Sequence, residues 1–152
     1  MSHTSIMSFG ALSILASPVL AQPAAEGGRK FTTELTGEAE VTAAGVPNQG
    51  DLDGTGTASI TVNVGQQRVC WDITVDGIAS PTRGHIHKAP STTTGGIVVT
   101  FFESSSVDLD GCTTAPVDRE LLKDIIKNPQ GYYVNVHNAD FPAGALRGQL
   151  SK

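Results

Sequence analysis

Residues 58–75, ASITVNVGQQRVCWDITV, decide the fold class. Ala58, Ile60, Val62 and Val64 alternate with Ser59, Thr61 and Asn63, the period of a strand with one buried face. Gly65-Gln66-Gln67 supplies a turn, and Val69, Trp71, Ile73 and Val75 then resume the alternation on a second strand. Asp72 and Thr74 fall on the other side of that strand, as a solvated sheet face requires. The same period returns on either side of this pair. Phe31, Leu35, Ala39 and Val41 alternate with Glu34, Glu38 and Glu40, which predicts a half-buried strand over 31–41. Gly45 to Gly56 is dense in turn residues and reads as a loop. Further strands are expected at Gly84–His87, Ile97–Glu103, Tyr132–His137 and Ala145–Leu150.

One helix is expected. Asp118 caps it, Leu121, Leu122, Ile125 and Ile126 form its apolar stripe, and Asn128-Pro129 stops it. Many short strands, Gly/Pro-rich turns and a single helix predict an all-β Greek-key sandwich or barrel with one short helix. The chain has 152 residues, 39% hydrophobic and 16% charged, which suits one domain with a filled core. Its formal net charge of −5 offers no basic surface to nucleic acid.

Met1 to Ala21 contains no Asp, Glu, Lys or Arg, and its densest apolar part, Met7 to Leu20, is too short to span a bilayer. With Val19-Leu20-Ala21 as a cleavage site, residues 1–21 read as a secretory signal peptide, 22–30 as a linker and 31–152 as the folded domain. The mature chain is then exported, periplasmic or secreted, without a membrane span. In such a compartment Cys70 and Cys112, lacking CxxC spacing, are expected to form one disulfide, with two buried free thiols as the alternative.

Three histidines follow the leader. His85 and His87 flank Ile86 on a strand, so both rings point to one face about 6.5–7 Å apart along the backbone, while Ile86 enters the core. In Tyr132–His137, Tyr132, Val134 and Val136 look inward, which puts Tyr133, Asn135 and His137 outward. If the two strands are neighbours, three imidazoles meet. Neutral imidazole suits copper or zinc, copper leads the affinity order for nitrogen ligands, and three His with an open fourth position is a catalytic rather than a closed pattern. Asn135, on the same face as His137, is a candidate to orient an imidazole. Each histidine also has a plain structural role available to it.

Other motifs carry less. Asp51 and Asp53 lack the remaining positions of a calcium loop and read as a turn. Ser104-Ser105-Ser106 has no GxSxG context. Arg83 and Lys88, which bracket the His85–His87 segment, read as ordinary surface charges. Whether the chain is an enzyme is left open by its sequence.

Gly84-His85-Ile86-His87, Tyr132-Tyr133-Val134-Asn135-Val136-His137 and Phe141-Pro142-Ala143-Gly144-Ala145-Leu146-Arg147-Gly148-Gln149-Leu150 together resemble the CHRD (chordin) domain. Leu35-Thr36-Gly37 and Glu40-Val41 resemble the elements that open that domain, so the resemblance covers 31–150. Phe141 stands for the family's usual Tyr, and Ala145-Leu146 for Glu-Ile. Membership implies an extracellular or bacterial exported domain, and the family's His segments match at His85, His87 and His137. A looser likeness is to the copper–zinc superoxide dismutases, Greek-key barrels with an HxH pair and an anion-guiding Arg, a place Arg147 would take here. A fourth copper His and a bridging His are missing, which leaves a copper-only centre.

Two functions follow as expectations. The first is an exported protein that binds a metal ion, copper preferred and zinc the alternative, through His85, His87 and His137, with redox activity such as superoxide dismutation. The second is a non-catalytic binding or matrix module with structural histidines and a protein or glycan partner.

Overall fold

A computed structural model describes residues 27–103 and 108–152. The expected signal peptide and most of the linker lie outside the described residues. Eight strands form one antiparallel sheet: β1 (Arg29–Thr36), β2 (Thr55–Asn63), β3 (Arg68–Asp76), β4 (Pro81–Lys88), β5 (Ile97–Glu103), β6 (Asp110–Cys112), β7 (Tyr132–Asn138) and β8 (Leu146–Gln149). Their spatial order is β5-β4-β7-β8-β1-β2-β3-β6. The sheet curls into a nearly closed barrel, because Trp71 on β3 stacks on Phe101 of β5 with ring centroids 5.0 Å apart. The all-β expectation holds.

The alternating residues of 58–75 fill the barrel. Ala58, Ile60, Val62, Val69, Trp71 and Ile73 join Leu35, Ile86, Val134, Val136 and Leu146 in one buried cluster. The helix α1 (Arg119–Lys127) presses Leu122 and Ile125 into the same cluster. Asp118 caps it as expected, accepting the Leu121 N–H at 2.9 Å. Among the described residues no helix is long and apolar enough to cross a membrane.

Two differences from the sequence reading matter for the site. Strand β1 ends at Thr36 rather than Val41, because the chain turns at Gly37, whose carbonyl accepts the Glu40 N–H at 3.2 Å. The alternation that put Glu40 on a solvated face therefore stops short of it, and Glu40 is buried. The three-residue β6 has no expected counterpart, since it is too short to display a period. It pairs Cys112 directly with Cys70 on β3, and the two sulfurs lie at disulfide distance.

Candidate metal centre

Strands β4 and β7 are neighbours, although 43 residues of sequence separate Lys88 from Tyr132. Their register sets Arg83 opposite His137, His85 opposite Asn135 and His87 opposite Tyr133. Strand β8 continues the row, with Arg147 opposite Asn135 and Gln149 opposite Tyr133. All these residues point away from the barrel core, yet they are shielded. His85, His87 and His137 are 0%, 8% and 5% exposed. The outer face expected around Tyr133, Asn135 and His137 is a second, polar layer under loops.

The three rings converge. His85 and His87 have centroids 5.5 Å apart, His85 and His137 5.1 Å, and one ring nitrogen from each residue lies within 4.8 Å of the others. Hydrogen bonds to the remaining nitrogens select the tautomers. The Gly95 carbonyl lies 2.9 Å from His87 Nδ1 and the Pro142 carbonyl 3.1 Å from His137 Nδ1. A carbonyl only accepts, so both Nδ1 atoms carry the proton and both Nε2 atoms keep a lone pair. At His85 the ring is reversed, with Nε2 3.2 Å from the Glu103 carboxylate, which leaves Nδ1 as the lone-pair nitrogen. The free atoms are thus His85 Nδ1, His87 Nε2 and His137 Nε2.

His85 Nδ1 and His137 Nε2 stand 3.2 Å apart, two lone pairs facing each other in these tautomers. His87 Nε2 is the buried side-chain nitrogen without a hydrogen-bond partner among the described residues. Protonation would relieve such an arrangement, but the surroundings oppose it. Burial, reinforced by the neighbouring His85, pushes His137 down to about 4. Burial also lowers His85 and His87, against the pull of Glu103 on His85 and of the Gly95 carbonyl on His87. Burial thus favours the neutral form of all three rings. An ion at about 2.0–2.1 Å from two imidazole nitrogens spaces them by roughly 3–3.4 Å, so the His85–His137 pair fits a first-row metal.

The rest of the layer holds the loops. Asn135 donates to Glu40 Oε2 at 2.6 Å and to the Leu146 carbonyl at 2.9 Å, so its amide N–H groups anchor Glu40 rather than orient an imidazole. A side chain at Gly144, where φ is +151°, would strike both Glu40 and Asn135. Arg147 is 1% exposed and donates to the carbonyls of Thr93 and Pro90 and to Gln149 Oε1. Its guanidinium lies 3.6 Å over Tyr133, whose other neighbour in the stack is His87 at 5.0 Å. Among the described residues, the guanidinium donors of Arg147 are thus turned to loop carbonyls. Arg83, by contrast, donates to the same Pro142 carbonyl that accepts the His137 proton.

A family model for the CHRD domain matches residues 31–150. The chain belongs to the CHRD domain family. No curated protein and no solved structure matches it. The match begins inside β1 and ends one residue past β8, so it takes in every strand of the barrel and the whole polar layer.

Sequence reasoning about this CHRD domain missed Glu40 and Glu103. Glu40 looked like one of three solvated carboxylates. Glu103 is placed by a bulge: Gly84 pairs with Phe102 but His85 with Thr100, leaving Phe101 extra. Phe101 and Phe102 both enter the core cluster in consequence, and Glu103 emerges on the histidine side. Gly84 makes room, since a Cβ there would meet the Phe102 ring at 2.6 Å. The only sequence signal for this was the adjacent pair of phenylalanines at the end of an alternating strand.

Proposed function

We propose that this CHRD domain is an exported metal-binding protein that holds copper, or alternatively zinc, through His85, His87 and His137. The observation that carries the reading is the convergence of three lone-pair nitrogens whose opposite ring nitrogens are all engaged, one of them buried without a partner. Carboxylate and carbonyl acceptors behind metal-bound imidazoles are the usual means of fixing ring orientation. Copper comes first because it heads the affinity order for nitrogen donors. Bound copper would supply one-electron chemistry, and superoxide dismutation is the activity to assay. The histidines' burial favours a tightly held ion reached only by a small substrate. Export is supported by the family and by the Cys70–Cys112 pair.

A second reading takes the histidines as structural. It draws on the fact that His87 and His137 each tie a covering loop to the sheet, through Gly95 and Pro142. One experiment separates the two. The mature, tag-free protein is incubated with limiting copper and zinc, dialysed and analysed for metal, with His85→Ala as control. Near one equivalent of copper in the wild type, lost in the variant, is the expected result. Equal, sub-stoichiometric metal in both overturns the metal site and leaves the binding-module reading.

A further inference from the structure

The three imidazoles differ in what stands behind them. His87 and His137 each donate to a neutral carbonyl, while His85 donates to a carboxylate. Among the described residues no other carboxylate is hydrogen-bonded to a histidine. The second acidic group of the polar layer, Glu40, is 3.9 Å from Arg147 and hydrogen-bonded to Asn135, so its charge is offset within the layer. Among the described residues, no lysine or arginine forms a salt bridge with Glu103. The nearest basic side chain on the adjoining strand, Arg83, is opposite it in register but donates to Pro142. Glu103 thus brings a negative charge against a fully buried ring, opposed there in part by the Arg83 cation, from a side chain that is itself 56% exposed.

We propose that Glu103 is a positioning residue that makes the centre selective for the oxidised, divalent state of copper. The proposal rests on the metal-binding reading above. Two physical effects combine. As an acceptor, Glu103 keeps the proton on His85 Nε2, so that Nδ1 rather than Nε2 is presented to the ion. As an anion, it draws that proton toward itself and raises the electron density of the ring, which strengthens a bond to a divalent cation more than to a monovalent one. Behind the other two imidazoles stand neutral carbonyls, and the bulge in β5 is what brings the carboxylate of Glu103 to this face.

Two substitutions take the effects apart. Glu103→Gln keeps an oxygen acceptor and removes the charge, whereas Glu103→Ala removes both. The tautomer of His85 is read in the metal-free protein by nitrogen NMR of the labelled imidazoles. Affinities for Cu(II) and Cu(I) are read separately by competition with chelators selective for each. The wild type and Glu103→Gln should show protonated Nε2 at His85, and Glu103→Ala a mixture of tautomers. Cu(II) affinity should fall 10- to 100-fold in Glu103→Gln, with Cu(I) affinity held within about threefold. Each tenfold change in the ratio of the two corresponds to about 59 mV in the reduction potential.

Equal losses for the two oxidation states in Glu103→Gln, or no loss for either, would overturn the selectivity. An unchanged tautomer in Glu103→Ala would overturn the positioning role. A wild type that binds neither oxidation state would instead refute the metal site itself, and the selectivity with it, while the tautomer measurement would still judge the positioning role. Thermal melting of each metal-free variant checks that the barrel is intact.

Discussion

Strands β3 and β7 have the same alternating sequence pattern and opposite fates on their second face. On β3, Val69, Trp71 and Ile73 are buried while Asp72 and Thr74 are exposed. On β7, every residue from Tyr132 to Asn138 is buried. The inner faces are equivalent, since both supply the barrel core. What differs is what is laid over the outer face. Among the described residues nothing covers Asp72, whereas Tyr133, Asn135 and His137 are roofed by segments carrying Glu40, Pro90 to Gly95 and Pro142 to Gly144. Alternation therefore reports that one face is apolar, and leaves open whether the polar face meets water or a loop. A polar face under a roof must satisfy its groups internally, and that need organises the histidine cluster.

Breaking the roof should cost far more than changing the open face. Arg147→Met keeps apolar bulk but leaves Glu40 buried without its cation and the Pro90 and Thr93 carbonyls without a donor. A loss of about 3–5 kcal/mol is expected from urea unfolding. A loss below about 1 kcal/mol would mean that the loops are held on mainly by other contacts.

The roofed histidines also predict how stability depends on pH. In the unfolded chain His137 titrates near 6.5, whereas in the folded metal-free protein it resists protonation down to about 4. Between these values the unfolded state binds more protons, so stability is full above about 6.5 and falls as the pH drops toward 4. The loss from His137 is on the order of 3 kcal/mol, and the lowered His85 and His87 act in the same direction. Urea midpoints from pH 7.5 to 4.5 test this, and a flat profile would show that the buried histidines take up protons freely. The smallest effect belongs to the open face. Asp72→Ala should change stability by no more than about 0.5 kcal/mol by the same method, and a larger change would put a partner over β3.

Much of this molecule was legible in its residues. The strand at 97–103 and the cap and stripe of the helix lie where the pattern puts them, because period, turn chemistry and capping are local effects. That His85 and His87 share a face, with Ile86 in the core, is likewise a consequence of the two-residue period. The exceptions are instructive in the same terms. Glu40 left its expected face when the strand ended early, and a single extra residue in β5 turned Glu103 toward His85, since one step of register exchanges the faces of a strand.

Within an unbroken run of alternation, the sequence of this CHRD domain determines which residues share a side of a strand, because that depends on neighbours one or two positions away. It does not determine that β4 and β7 lie side by side, nor that Gly95, Pro142 and Glu103 stand behind the three rings. Those are contacts between segments distant along the chain. They decide which nitrogen of each imidazole keeps its lone pair, and so whether three histidines on two strands can act as one site.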